Sequence, residues 1–212
     1  MGQNSGIIIR PMEALDVSAL VPLHAEVFQG YNSTIMGAGY LRNLYQTLAC
    51  HTACISIVAL DRGKIVGWIG GVWDWLSFQR ALAWRNITGA PVIFLSLLKN
   101  RPRLLAKVFS SFLTVVLELV QRFEVRKVDS SKPAISLQTA LLVIGVDPKY
   151  QKRGVSQSMM ENFDRLLLSR GFTGISVSTS ANNEAGNRAF QKAGYTLYRT
   201  DDGINYYSKG LA

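Results

Sequence analysis

The chain has only two cysteines and two histidines among its 212 residues, so soft metal ligands are scarce. Cys50, His51 and Cys54 lie together in "CHTAC", but His24 is the only other histidine and no second cysteine pair completes a four-ligand site. We therefore expect no metal at this segment. Cys50 and Cys54 are instead predicted to be buried, unpaired thiols in a reducing cytoplasm.

Long hydrophobic runs are also absent. No apolar segment reaches the roughly 18–20 residues that a membrane-spanning helix needs. The first residues, "MGQNSGIIIRP", lack the basic segment and long apolar stretch of a secretory signal, so we expect a cytoplasmic protein. With 48% hydrophobic and 17% charged residues, the chain is predicted to fold around a packed core.

Acidic residues are fewer than basic ones, which gives a net charge of +9. Residues 1–73 are balanced, with four of each sign, whereas residues 74–133 hold ten basic and four acidic residues. Residues 134–212 hold nine and six. The surplus in the middle favours an anionic partner, because a basic surface attracts anions, but it carries no information about the fold.

The first third of the chain predicts a strand, two helices and a hairpin. The strand is "GIIIRP", and the next helix is expected to be capped by Asp16 and to end at Gly30. The second helix is "GYLRNLYQTLACH", with apolar residues on one face. Two apolar runs around "DRG" predict the hairpin, and Gly70 with Gly71 predicts a bulge or a close backbone approach.

Residues 74–133 interrupt this pattern with two apolar helices that divide near Pro102. The last third alternates again: a long strand, "AISLQTALLVIGV", a polar turn, and the helix "VSQSMMENFDRLLLSRG". A strand, "ISVSTS", a short helix capped by Asn182 or Asn183, and a closing hairpin follow.

The turn before the long helix, "QKRGVS", carries the strongest chemical signal. Free backbone N–H groups at a helix N-terminus bind anions, and Gly154 lets the backbone approach the anion closely. Lys152 and Arg153 add positive charge. These residues predict a phosphate or pyrophosphate site, although an ordinary basic helix start would read the same way.

"QKRGVS" resembles the Q/R-x-x-G-x-G/A signature of the Gcn5-related N-acetyltransferase (GNAT) superfamily, with Ser156 at the final small position. "VIGVDP" is similar to that family's fourth strand, and "NNEAGNRAFQKAGY" resembles its N-x-x-A-x-x-x-Y-x-x-x-G-F element. The resemblance is loose over residues 7–73 and close over 134–208. It implies an α/β (α+β) fold with a mixed central sheet of about six to seven strands flanked by helices. Residues 1–212 would form one acetyltransferase domain, with 74–133 as a basic helical insertion between strands 3 and 4.

The resemblance also implies acetyl-CoA as co-substrate. The main chain of Ile144 and Val146 would pair with pantetheine, and the amides from Lys152 to Ser156 would hold the pyrophosphate. Asn183 and Asn187 would lie beside the cofactor arm. The residues implied to contact the cofactor are Ile144, Val146, Gln151, Lys152, Arg153, Gly154, Val155, Ser156, Asn183, Asn187, Phe190 and Lys192.

Members of this family usually transfer the acyl group directly to an amine, and a tyrosine commonly protonates the departing thiolate. Phe190 stands at that tyrosine's place and has no proton to give. Tyr195 is the candidate acid in its stead, with Tyr198, a water or no acid at all as alternatives. Asp74 is the candidate base. His24 and Glu26 come next, followed by Glu118.

The basic insertion resembles those of bacterial glycan and amino-sugar acetyltransferases, which implies a small, anionic amine acceptor such as a nucleotide-linked amino sugar. Its apolar helices equally fit a packed subdomain, a homodimer interface or peripheral contact with an anionic membrane. No RNA-binding pattern is present, so we expect no specific nucleic acid partner. The alternative from another class is a CoA-binding module without turnover that acts as a sensor or interaction protein.

Overall fold

The computed structural model describes residues 6–87 and 138–211, which build one seven-stranded sheet in the order β1-β2-β3-β4-β5-β7-β6. Only β4 and β5 pair in parallel; all other neighbours are antiparallel. The predicted mixed sheet is therefore confirmed. Its strands are β1 (Ile7–Pro11), β2 (Cys54–Asp61), β3 (Lys64–Val72), β4 (Gln138–Val146), β5 (Gly174–Ser180), β6 (Thr196–Asp201) and β7 (Ile204–Gly210).

Helices cover both faces of the sheet, and each face has its own apolar core. The described helices are α1 (Val17–Val27), α2 (Asn32–Ile35), α3 (Gly37–Cys50), α4 (Trp75–Ile87), α5 (Val155–Ser169) and α6 (Glu184–Lys192). Helices α1 and α3 pack on one face, around Trp68 and Tyr45, and α5 and α6 pack on the other, around Phe163 and Phe190. In the described ranges, no helix is long and apolar enough to cross a membrane.

The predicted insertion falls mostly outside the description. Of residues 74–133, the structure describes only the first fourteen, which contain α4. The two helices predicted on either side of Pro102 lie outside the described residues. A second unit of the chain, residues 85–135, starts in the last turn of α4. The single domain with its helical insertion therefore stays a prediction.

Asp16 does not cap α1 as predicted. Its carboxylate instead binds the Arg10 guanidinium through two contacts of 2.7 and 2.8 Å and accepts a hydrogen bond from the Glu13 N–H. A short 3₁₀ turn, Ala14–Asp16, precedes the helix. The Arg10 guanidinium of β1 engages both carboxylate oxygens, and such a bidentate ion pair adds energy and geometric specificity beyond a single bond to a backbone N–H.

The prediction that both thiols are buried is wrong for Cys50. This residue is the last of α3 and is exposed, whereas Cys54 at the start of β2 is buried. Burial raises the pKa of the Cys54 thiol to about 12, so it stays protonated. In the part of the chain that the structure covers, no three His, Cys, Asp or Glu side chains come together as metal ligands.

The glycine pair of β3 marks a bulge and a close packing contact, as predicted. The β3–β4 register shifts between Gly70 and Gly71, so that Leu142 of β4 is the extra residue. A Cβ at Gly71 would lie 2.7 Å from the Phe163 ring of α5. Gly71 lets α5 approach one face of the sheet, while a Cβ on Gly70 would meet Leu48 of α3 on the other face at 3.0 Å.

Candidate functional site

The sheet opens between β4 and β5. Their parallel ladder runs from Gln138 opposite Gly174 to Leu141 opposite Val177 and ends there. Strand β4 continues along β3 as far as Val146, and β5 continues along β7 as far as Ser180. Residues 142–146 and 178–180 thus border a gap that no described strand fills.

The main chain of Ile144 and Val146 faces this gap. The Asp147 N–H donates to the Val66 carbonyl at 2.9 Å, so Asp147 and, two residues earlier, Gly145 direct their backbone groups toward β3. Hydrogen-bonding direction alternates along an antiparallel strand, which turns Ile144 and Val146 the other way. The Val146 carbonyl accepts a bond from Gln151 Nε2 at 3.3 Å. Both residues lie where their predicted pairing with pantetheine requires, and the pairing itself stays a prediction.

A short, anchored loop leads from β4 to α5. Asp147 begins a 3₁₀ turn, Pro148–Tyr150, and its Oδ1 accepts a bond from the Lys149 N–H at 2.9 Å. The Tyr150 hydroxyl donates to Asp61 Oδ2 of the β2–β3 hairpin at 2.7 Å. These contacts hold the first half of the predicted polar turn, Asp147 to Tyr150, in place.

Gly154 starts α5 in a left-handed conformation, with φ of 81° and no side-chain cap on the helix. The first N–H groups of a helix have no partner within it, so those of Val155, Ser156 and Gln157 are available to an anion. Lys152 and Arg153 are exposed beside them. The loop can therefore bind phosphate groups through backbone donors, the helix dipole and two cations.

Asn183 caps α6, in agreement with the sequence. Its Oδ1 accepts a bond from the Gly186 N–H at 3.1 Å, while its Nδ2 donates to Thr179 Oγ1 at 2.9 Å. Because this second bond joins the cap to β5, Asn183 stands at the border of the gap. Lys192 lies in the last turn of α6 and is exposed. The cofactor contacts of both residues stay predictions.

Asn187 is fully bonded within the protein. Its Nδ2 donates to the carbonyls of Ser180 and Ala181 at 3.1 and 3.0 Å, and its Oδ1 accepts from Asn205 Nδ2 at 3.1 Å and from the Tyr207 hydroxyl at 2.8 Å. These four bonds use the whole capacity of the amide. Asn187 thus joins α6 to the ends of β5 and β7 beside the gap. Tyr207 and Asn205 were not foreseen, since only the register of the final hairpin brings them here.

Replacing Asn187 with Ala is expected to lower the free energy of unfolding by about 1–3 kcal/mol, because buried polar partners lose their bonds. Urea unfolding measures the change. Asn162→Ala is the matched control: Asn162 makes one bond, to the Ser158 carbonyl of its own helix, and should change stability by less than about 0.5 kcal/mol. Equal losses in the two variants would contradict a joining role for Asn187.

The rings of Phe190 and Tyr195 pack together, with their centroids 5.5 Å apart. The Phe190 ring is buried 6.0 Å from that of Tyr207, which pairs with Val177, the last β5 residue joined to β4. Lys209 packs over the Tyr195 ring and is paired with Ile175, where β4 and β5 are still joined. Phe190 therefore joins Tyr195 and Tyr207 in one aromatic cluster.

The surroundings of Tyr195 disfavour proton release. Burial, together with the nearby Asp164 carboxylate, raises the pKa of its phenol well above the usual value. The hydroxyl is buried and lacks a hydrogen-bond partner among the described residues. Its role as an acid remains an untested prediction.

Asp74 starts α4 and caps it. Its Oδ1 accepts a bond from the Ser77 N–H at 3.0 Å. The residue follows β3, whose last residue, Val72, pairs with Ala140, where β4 and β5 are still joined. Its role as a base stays a prediction. Among the other candidates, Glu26 is exposed, and Glu118 lies outside the described residues.

His24 is buried on the α1 face of the sheet. Its Nδ1 lies 2.6 Å from the Tyr45 hydroxyl, and its Nε2 lies 2.9 Å from Ser33 Oγ. The centroid of the imidazole also lies 6.2 Å from that of the Trp68 ring. A Cβ added to Gly145 would lie 2.4 Å from two atoms of the six-membered ring of Trp68. The group therefore packs against the β4 segment that borders the gap. Burial lowers the pKa of His24 to about 4 and keeps the imidazole neutral.

Acid is expected to destabilise the protein through His24. Unfolding returns the imidazole pKa from about 4 to 6.5, so the unfolded chain binds the extra proton. The stabilisation from the neutral ring is complete above pH 6.5 and is lost as the pH falls toward 4, about 3 kcal/mol in all. Urea unfolding between about pH 7.5 and about pH 4.5 measures it. His24→Gln should flatten this dependence, and an unchanged slope would contradict it.

Part of the chain matches a known protein family. Residues 131–195 match the model of the acetyltransferase (GNAT) family. Among curated protein sequences there is no match. The GNAT domain of S. lividans PAT matches with a TM-score of 0.58 at 15% identity, over 96% of this chain and 89% of that one.

Two other solved structures are similar to this chain over nearly its whole length. The PaiA N-acetyltransferase from Thermoplasma acidophilum, in complex with coenzyme A, has a TM-score of 0.57 at 11% identity and covers 96% of this chain and 98% of its own. Arabidopsis thaliana NAA60, in complex with acetyl-CoA, has a TM-score of 0.57 at 14% identity, with 97% and 98% covered. At such identities the likeness establishes the shared fold.

Proposed function

We propose that the chain, whose residues 131–195 match the acetyltransferase (GNAT) family, binds acetyl-CoA and transfers the acetyl group directly to the amine of a small acceptor. One observation carries the proposal: the gap between β4 and β5 lies next to the Gly154 start of α5. A strand edge with open backbone groups and an anion-binding loop thus occur in one continuous segment, residues 142–157.

The residues of this segment fit the two chemical parts of acetyl-CoA. Pantetheine carries amides, and the outward main chain of Ile144 and Val146 offers them donors and acceptors, as a neighbouring strand would. The pyrophosphate carries negative charge, which the amides after Gly154 and the side chains of Lys152 and Arg153 would balance. Gln151, which bonds to the Val146 carbonyl, keeps the loop close to the strand.

The acetyl transfer needs few catalytic side chains. The amine must lose a proton to attack, and the new N–C bond replaces the C–S bond while water accepts the amine proton. A backbone N–H on the open side of β4 would stabilise the oxyanion. A thiol with a pKa near 8.5 leaves readily as a thiolate, so Phe190 at the tyrosine position slows the reaction without preventing it.

The basic charge of residues 74–133 supports an anionic acceptor. The surplus of six positive charges in residues 74–133 would attract an amine that carries phosphate, such as a nucleotide-linked amino sugar. The predicted apolar helices of the same segment also support a homodimer or contact with an anionic membrane as further proposals.

Release of free thiol from acetyl-CoA tests the activity. We expect release that depends on amine, with a phosphorylated amino sugar giving a higher kcat/KM than glucosamine. The competing function is a CoA-binding module without turnover, which Phe190 favours because it removes the usual acid. Tight CoA binding by calorimetry without amine-dependent thiol release would support that module and contradict the enzyme.

Phe190→Tyr adds a hydroxyl to a ring that packs against Tyr195 and Tyr207. We expect the variant to fold, with kcat unchanged or raised by up to about 100-fold, the lower end of general acid catalysis. Steady-state kinetics measures the gain, and Phe172→Tyr serves as control because it adds a hydroxyl to another buried ring, one that packs on Trp73. Loss of CoA binding in Phe190→Tyr alone would mean that the position tolerates no added atom.

A further inference from the structure

A side-chain hydrogen bond joins the β2–β3 hairpin to the loop before α5. The Tyr150 hydroxyl donates to Asp61 Oδ2 at 2.7 Å, although the two residues are 89 positions apart in the sequence. Asp61 is the last residue of β2 and pairs with Ile7 of β1 and Lys64 of β3, so its position is fixed by the sheet. The bond to Asp61 raises the pKa of the Tyr150 phenol, so the hydroxyl keeps its proton and remains a donor.

The Tyr150 ring is held by two further contacts. The Tyr150 N–H donates to the Asp147 carbonyl at 2.8 Å, which closes the 3₁₀ turn. The half-buried ring packs against the apolar core around Phe163. Backbone, ring and hydroxyl are thus each anchored, and the ring has a fixed orientation within a loop that is otherwise exposed.

The Arg153 guanidinium lies over this ring. Its Cζ is 5.3 Å from the ring centroid of Tyr150, within the range of a cation–π contact. Arg153 is exposed and stands between two left-handed residues, Lys152 with φ of 59° and Gly154 with φ of 81°. A contact with an aromatic ring engages the face of the guanidinium and none of its N–H groups, so this contact leaves the N–H edge to bind phosphate.

We propose that Tyr150 and Asp61 are positioning residues that direct the Arg153 guanidinium toward the phosphates of CoA, so that the protein selects CoA over ligands that end at pantetheine. Asp61 fixes the Tyr150 ring, and the ring fixes the guanidinium. The inference rests on the proposed binding of acetyl-CoA and explains how the β2–β3 hairpin contributes to it.

Two physical effects make this arrangement favour a phosphorylated ligand. An arginine that already packs on a fixed ring loses fewer rotamers when it binds phosphate, so more of the bond energy contributes to affinity. A hydroxyl bonded to a carboxylate also makes its aromatic ring more negative, which strengthens the attraction for the cation. Pantetheine carries no phosphate and gains nothing from the guanidinium.

Calorimetry with CoA and with pantetheine tests the positioning role. Tyr150→Leu removes the ring and should raise Kd for CoA about 2- to 5-fold, the effect of one exposed cation–π contact, with Kd for pantetheine unchanged. In the Arg153→Gln background the same substitution should have no further effect, because the ring acts through the guanidinium. Tyr31→Leu, which removes another half-exposed ring, is the matched control and should change neither Kd.

Tyr150→Phe tests the contribution of Asp61 and keeps the packed ring, so that it should fold even if Tyr150→Leu does not. Its Kd for CoA should rise about 2-fold, the lower end of the same range, and the addition of Asp61→Ala should raise it no further, since both changes remove one bond. An affinity of Tyr150→Phe for CoA equal to that of the wild type overturns the positioning role. Equal losses for CoA and pantetheine, or a Tyr150→Leu effect that persists in Arg153→Gln, overturn it too.

The same measurements separate this inference from the proposed function. If the wild-type protein does not bind CoA, the proposed cofactor site is wrong and the positioning role with it. CoA binding without amine-dependent thiol release contradicts the acetyl transfer alone, because both Kd values can still be compared among the variants.

Discussion

Replacing Gly154 with Asp is expected to weaken acetyl-CoA binding by at least about 10-fold. The glycine begins α5 with φ of 81°, a conformation that a side chain disfavours. The new carboxylate would also repel the pyrophosphate from the amides that follow. Loss of one or two bonds to a charged group, each worth about 1.5–3 kcal/mol, accounts for the size of the effect. Isothermal calorimetry with CoA measures it.

Gly171→Asp is the matched control for this experiment. Gly171 follows the other end of α5 and has φ of 82°, and a Cβ there meets nothing within 4 Å. The control introduces the same residue at nearly the same backbone angle, so the two variants should share the strain while only Gly154→Asp loses CoA. Unchanged affinity in Gly154→Asp would refute the anion site.

Replacing Gly145 with Ala is expected to lower the free energy of unfolding by about 3 kcal/mol, because overpacking a rigid core is costly. The added Cβ would lie 2.4 Å from two atoms of the Trp68 ring, which is fully buried and surrounded by other aromatic rings. Either the ring or β4 must move. Urea unfolding measures the loss, and kcat/KM should fall as well because β4 borders the gap.

Gly39→Ala provides the contrast. Gly39 is an exposed residue within α3, and a Cβ there meets nothing within 4 Å. The same substitution should therefore stabilise the protein by about 0.5–1 kcal/mol, since alanine favours the helix more than glycine does. If both variants changed stability equally, close packing of Trp68 on Gly145 would not be the cause.

Local patterns predicted most of the fold. Leu41, Leu44, Tyr45 and Leu48 repeat at helical spacing, and the structure buries all four on α3. Local patterns did not predict contacts between different elements: the Asp16 carboxylate binds Arg10 of β1 and does not cap its own helix. The sequence patterns also did not predict the short helix α2 or the exposed end of α3 at Cys50, because helix ends depend on tertiary contacts more than on periodicity.

The site could be predicted only as far as its motifs reach. "QKRGVS" indicated the loop and the glycine that starts α5, since backbone conformation follows from local sequence. The motif gave no information about which side chains of neighbouring strands lie beside the gap. Tyr195 packs on Phe190, and its hydroxyl has no hydrogen-bond partner among the described residues, whereas Tyr207, twelve residues later, bonds to Asn187 beside the gap. Cross-strand register decides both, and register is a long-range property.

The short β4–β5 ladder also affects how ligand binding and stability are related. Within residues 6–87 and 138–211, strands β1–β4 and β5–β7 are joined in the sheet through only the residue pairs from Gln138–Gly174 to Leu141–Val177. A molecule whose amides bond to Ile144 and Val146 would extend this seam toward its open end. Binding free energy would then contribute to the cohesion of the two halves, so the melting temperature becomes a direct reporter of ligand occupancy.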